Sequence, residues 1–227
     1  MKEKLNKTER DVFFVHLLFI VFCLIMILIP FGIAMGIKLF VLVLIYSILI
    51  LIIGIWRKYK EWLNIWLFVF IISIFQILPD WFLSAELEIL VFPEDGLFKI
   101  GTVSGYMAGL WVIPLFIITF TGNRFQERYS IKISYLIVAV LSLLIFGITE
   151  STIWMLESWY AQNVIMVGHL ALYIIVPEII LGLSTYYGFE LVQEKNHFYK
   201  ILIAFIVMLL YLGNVVFFYF LIEHIIF

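Results

Sequence analysis

Apolar residues run along this chain in stretches of about 20, each enough to carry a helix across roughly 30 Å of hydrocarbon. Seven such stretches are read, at 12–36, 38–56, 62–84, 103–122, 133–152, 165–190 and 201–224. Polar residues gather between them and alternate in kind. Twelve of the fourteen lysines and arginines fall in the N-terminal segment or in the loops after spans 2, 4 and 6; the other loops hold only Lys38 and Lys99. The positive-inside rule then places the N-terminus in the cytoplasm and the C-terminus outside. A missed or invented span would break this alternation. The pattern predicts an all-α integral membrane fold, a seven-transmembrane-helix bundle over 1–227 as one domain. The apolar run 12–29 exceeds the 7–15 residues usual for a signal-peptide core, so it reads as a span rather than a cleaved leader.

Composition narrows the class. Of 227 residues, 65% are hydrophobic and 13% charged, against about 25% charged in soluble domains. A water-soluble globule and a disordered chain are both excluded. A net charge of -2 offers no basic field for nucleic acid. The single cysteine, Cys23, excludes a disulfide framework and a multi-cysteine metal site. The expected location is a bacterial cytoplasmic membrane.

The acids change the picture most. Nine of the sixteen lie outside or within the membrane on this map. Counted at 1.5 Å per residue, Asp80 and Glu150 lie about 26–27 Å along spans 3 and 5, and Glu178 about 20 Å into span 6, near the midplane. Gln76 and Asn214 reach comparable depths, and His169 sits about 6 Å below the outer surface. A carboxylate at the midplane is costly and normally faces a bundle interior. Glu178 is therefore expected as a neutral acid, either bonded to a neighbouring helix or able to give its proton to a substrate. Pro79, Pro114 and Pro177 break spans 3, 4 and 6, and broken helices beside an acid are a common plan for a polar intramembrane pocket. Ser73, Gln76 and Asp80 share one face of span 3. His169 and Tyr173 share a face of span 6, while Glu178, nine residues beyond His169, points the opposite way unless the break turns the helix.

The loop between spans 3 and 4 carries Pro93-Glu94-Asp95-Gly96, a turn signal flanked by β-branched and aromatic residues. It predicts a short β-hairpin-like outer loop near 86–100, a lid with Glu94 and Asp95 at its tip. Gly101, Gly105 and Gly109 form a G-x-x-x-G-x-x-x-G pattern that suits a close helix-packing partner. Trp154, Trp159 and Tyr160 suit an interfacial belt, or a wall around a hydrophobic or cationic ligand. Tyr106 and Trp111 lie beside the glycines. No zinc helix, P-loop or dinucleotide fingerprint occurs, so no cofactor is expected. The dispersed His169, His224, Asp80 and Glu150 make a metal centre the weaker reading.

Three strings carry a resemblance: Pro79-Asp80-Trp81; Phe92-Pro93-Glu94-Asp95-Gly96 leading to Ile100-Gly101 and Tyr106 through Pro114; and His169 through Pro177-Glu178. They resemble an uncharacterised family of small multi-pass membrane proteins from bacteria and plastids, over roughly residues 76–185, which brings no activity with it. Size and span count are also similar to membrane-embedded isoprenoid and carotenoid cyclases, an analogy of architecture only.

The expected function is an integral membrane enzyme, of cyclase or isomerase type, acting on a lipophilic, isoprenoid-like substrate or membrane lipid by carboxylic-acid chemistry. Glu178 is the expected proton donor, with Asp80, Glu150 and His169 beside it. Gln76, Tyr106, Trp111, Trp154, Tyr173 and Asn214 are the expected substrate-binding residues. A small proton-coupled transporter and a non-catalytic assembly subunit are the alternatives.

Overall fold

The computed structural model describes residues 6–29 and 32–226. Lys2, Glu3 and Lys4 of the basic N-terminal segment, and Pro30 and Phe31 of the first expected span, lie outside the described residues. Among the described residues, seven helices are long and apolar enough to cross a membrane. The chain is a multi-pass helical protein.

Helix α1 is Lys7–Leu28, α2 is Met35–Arg57, and the third span runs through α3 (Lys60–Phe75), α4 (Ile77–Trp81) and a π-turn (Phe82–Glu86). Three two-residue strands, β1 (Leu90–Val91), β2 (Lys99–Ile100) and β3 (Val103–Ser104), precede the fourth span, which is α5 (Met107–Leu110) and α6 (Val112–Arg128). Helix α7 (Ile131–Thr152) ends in a 3₁₀ turn, followed by β4 (Tyr160–Ala161), β5 (Met166–Val167) and β6 (Leu170–Ala171). A second 3₁₀ turn (Leu172–Ile174) leads into α8 (Ile175–Val192), and α9 is His197–Phe220. Local chemistry sets several starts. The Asn6 side chain accepts the Glu9 N–H while Glu9 caps the Asn6 N–H, a reciprocal box that satisfies two free donors. Ser130 and Asn196 cap α7 and α9 in the same sense.

The three prolines share one position. Each is the third residue of a helical segment: Pro79 in α4, Pro114 in α6 and Pro177 in α8. N–H groups in a first turn have no partner within the helix, so proline loses nothing there. These are also the three spans most enclosed by protein, with 44%, 50% and 56% of their apolar windows buried, against 17% for α1. That is where a membrane protein tolerates interrupted backbone, because neighbours rather than lipid surround the freed carbonyls.

Two ends differ. At one end, charges pair between helices: Arg128 binds Glu9, Arg124 binds Glu61, and Arg57 lies 3.2 Å from Asp11. Tyr59 donates to Asp11 and Lys200 to Asn64. At the other end, the strands and turns form a cap. The two arms expected to pair across Pro93–Gly96 take other partners. Strand β1 pairs antiparallel with β4, Leu90 opposite Ala161, and β2 pairs with β3 across Gly101-Thr102. Gly101, at φ +63°, occupies the first turn position, where a two-residue hairpin turn favours glycine. The pair β5–β6 repeats the device with Gly168 at φ +65°.

This corrects two span starts. Residues 103–106 and 165–171, expected as helix, are strand and turn. The glycine pattern is corrected with them, because only Gly109 of the three lies in a helix. A side chain on Gly101 would meet the Trp81 ring, one on Gly105 the Phe98 ring, and one on Gly109 Val43 of α2. Each close approach is used inside this chain.

Candidate functional site

Two adjoining cavities lie beneath the cap. The larger, of about 180 Å³, sits between α5–α6 and α7 and reaches Glu178 of α8. The smaller, of about 30 Å³, is lined by Asp80, Glu150 and Glu178 together with Trp111, Tyr173 and Tyr211. They share Met107, Trp111, Glu150, Trp159 and Glu178. Leu90, Phe92 and Ala161, from the β1–β4 pair and its flank, also line the smaller cavity. The roof is therefore stitched from two loops distant in sequence.

Two of the prolines stand beside acids. Asp80 and Glu178 each directly follow one and are 3% and 2% exposed. Glu150 arrives from the last turns of the continuous α7. The Trp111 indole N–H donates to Asp80 Oδ2 at 3.3 Å, and the Trp159 N–H to Glu150 Oε1 at 3.1 Å. Each indole thus provides a donor that a carboxylate accepts. Glu178 has no hydrogen bond to a described residue, and it lines both cavities. Three carboxyl groups therefore share one small space, one differing from the other two in having no protein donor. No lysine, arginine or histidine is among the described residues lining either cavity. Among the described residues, no three histidine, cysteine, aspartate or glutamate side chains are placed to hold one metal ion.

The expected residues separate into groups. Asp80, Glu150, Glu178, Trp111 and Tyr173 meet at the cavities. His169 does not: it is exposed in the β5–β6 turn, stacked on Trp154 with ring centroids 3.9 Å apart. The positive φ of Gly168 ends the extended stretch before any helix begins, so the depth and shared helical face read for His169 do not apply. Trp154 is 37% exposed and donates to the Ser151 carbonyl, away from the cavities. Tyr106 is buried with its hydroxyl on Ser158, tying the segment between β3 and α5 to the turn after α7. Asn214 donates to Leu210 of its own helix. Gln76 stands at the α3–α4 break, fully buried, with neither amide atom hydrogen-bonded.

The expected lid acids have other tasks. Glu94 is exposed and pairs with Lys99 at 2.9 Å. Asp95 is buried, accepting from the Leu97 N–H at 2.9 Å and the Ser104 hydroxyl at 2.6 Å. Its backbone carbonyl accepts the Gly36 N–H, and a Cβ on Gly36 would run into its carboxyl group. Asp95 clamps the cap onto the start of α2. Among the lining residues, Met107, Phe146 and Tyr211 have no place in the sequence reading of the site, and Trp159 has only the alternative of a ligand wall. Each has the look of core or interfacial packing. Only the nine-residue separation of Trp159 from Glu150, across a turn, hints at contact.

No curated protein and no solved structure matches the chain. Residues 77–222 match the model of a family described as Domain of unknown function (DUF6989), a stretch that holds every residue lining the two cavities, and the chain belongs to that family.

Proposed function

We propose that this protein is an integral membrane enzyme acting on a lipophilic substrate, of isoprenoid type, by carboxylic-acid chemistry in the capped half of the bundle. The observation that carries the reading is the convergence of Asp80, Glu150 and Glu178 on a cavity otherwise walled by apolar and aromatic side chains. In the reaction, the Glu178 O–H bond breaks and its proton adds to an alkene carbon or an epoxide oxygen. Positive charge then develops on the substrate carbon next to it. Trp111, Trp159, Tyr173 and Phe146 present ring faces and edges to that charge, and aromatic faces stabilise cations in a water-poor site. One of Asp80 and Glu150, steadied as a carboxylate by its indole donor, takes a proton from the cation to give a neutral product, and that proton then returns to Glu178 across the shared cavity. The net change is an isomerisation or cyclisation, with atoms conserved.

Orientation completes the proposal. The basic end faces the cytoplasm, and the cap with its acids faces outward across a bacterial cytoplasmic membrane. The test is conversion of a membrane lipid extract by the purified protein. Wild-type protein is expected to alter at least one lipophilic component, and Glu178→Gln to slow that by about 10²–10⁴-fold, the usual worth of a positioned general acid. Full activity in Glu178→Gln sinks this role.

One observation favours a second reading, a proton-coupled carrier. A polar cavity of about 370 Å³ at the basic end is lined by Arg124, Gln126 and Glu190, among others. Thr119 and Thr185, both buried with unpartnered hydroxyls, stand on α6 and α8 between the two ends. Uptake into proteoliposomes driven by a pH gradient, with no chemical change in the solute, would select this reading.

A further inference from the structure

The walls of the two cavities differ in a way that defines both the ligand's reacting end and its route in. The larger cavity is almost wholly apolar, and its half-buried lining residues include Ile113, Pro114 and Ile117 of α6 and Ile145 and Thr149 of α7. The smaller cavity, under the cap, is closed by buried Phe92, Trp159 and Ala171. The cap is further tied down by the β1–β4 pairing and by Tyr106 on Ser158. Access from the membrane therefore meets two rows of side chains on adjacent helices, whereas access from water must undo a hydrogen-bonded roof.

Volume adds a second constraint. A cavity of roughly 150 Å³ accommodates a benzene-sized molecule. At about 180 Å³ the larger cavity holds only the terminal portion of a lipid chain. The rest must trail out between α6 and α7. Charge adds the third. An anionic end group would place a second negative charge beside the carboxylate that serves as base, with no lining cation to compensate, and two like charges in one small dry space strongly disfavour each other.

We infer that the seam between α6 and α7 is a lateral portal through which a single-chain lipid inserts, reacting end first, and that this end is a compact, uncharged proton acceptor. Phosphorylated and carboxylated lipid ends are excluded. The inference rests on the reading of the carboxyl cavity given above, and adds to it the substrate's end-group class and its path.

The test measures binding without turnover. The protein is placed in nanodiscs of zwitterionic lipid and its thermal unfolding is followed with N,N-dimethyldodecylamine or dodecyl phosphate added. The neutral amine enters, its nitrogen takes the carboxyl proton, and an ammonium–carboxylate pair forms inside the site with no net charge imported. The amine is expected to raise Tm by several degrees near saturation, and dodecyl phosphate to bind at least about tenfold more weakly. Ile117→Trp and Ile145→Trp narrow the seam from its two sides, and both are expected to abolish the amine's effect. Leu144→Trp, on the exposed side of α7, is expected to retain it. Absence of an amine effect in wild-type protein, equal binding of the phosphate, or full binding in both seam variants overturns the inference. Any of these results leaves the Glu178→Gln activity test standing, so the two readings fail separately. A seam variant that does not fold is recognised by its own unfolding curve, and the other variant with the phosphate comparison then decides.

Discussion

Asp80 and Asp95 are both buried acids, and their surroundings give them opposite tasks. Asp95 accepts a backbone N–H and a serine hydroxyl and abuts Gly36, with nothing to bind beyond the chain itself. Asp95→Ala removes these acceptors and leaves a buried hydroxyl short of a partner, so it should cost about 2–3 kcal/mol. Thermal unfolding in detergent would register that loss, while amine binding per folded molecule stays unchanged. Asp80 has one indole donor and a cavity on its other side. Trp111→Phe keeps most of the ring and removes that donor. It should lower turnover by about tenfold or more while shifting stability by only about 1 kcal/mol. The deep acids were legible in the sequence because charge within apolar spans is expensive and seldom incidental. His169 was misread for a local reason: an apolar window hides the Gly168 turn, and one residue at φ +65° converts an expected helix into a hairpin tip. Tyr211 was not legible, and Trp159 only as one of two readings, since a cavity wall, an interfacial belt and a packed core use the same aromatic residues.

At the scale of elements, hydrophobic length located seven spans, but it could not say where cap ends and helix begins. Residues 103–106 and 165–171 are apolar enough to extend the spans, and glycines at positive φ, Gly101 just before the first stretch and Gly168 within the second, redirect them. Gly101→Ala places a Cβ at a left-handed position and 2.7 Å from the Trp81 ring. It should destabilise the fold by about 1–3 kcal/mol, read as a lower Tm. Pro79 and Pro114 lie just after breaks in spans 3 and 4, whereas Pro177 stands in the first turn of α8, where the helix begins. Their shared third position, after Gln76, Trp111 and Ile174, was not foreseen. Pro177→Ala returns an N–H that can reach the Tyr173 carbonyl and continue the helix upstream. The account expects Tm to hold or rise, and amine binding to fall because Glu178 turns with its segment. Unchanged binding would show that packing, rather than proline, sets where α8 begins.

For the whole molecule, charge is separated along the bundle axis. Interhelical ion pairs collect at one end, and a hydrogen-bonded cap over three carboxyl groups closes the other. The proposed orientation is open to direct measurement. With the sole cysteine Cys23 changed to serine, single cysteines at Glu88 and Lys195 report the two ends. A membrane-impermeant maleimide applied to intact cells should label Glu88→Cys and spare Lys195→Cys; the reverse pattern would invert the map.

The central claim is that Glu178 donates a proton to a lipid held in this cavity. Its most direct test is to recover the hydrophobic molecules bound to wild-type and Glu178→Gln protein, each drawn from its native membrane without detergent exchange. The two should be compared by mass and by chromatographic retention. Proton donation followed by proton loss conserves mass, so the account predicts species of one mass and different retention: product with the wild type, unreacted substrate with the variant. Identical molecules from both proteins, or none from either, would contradict it.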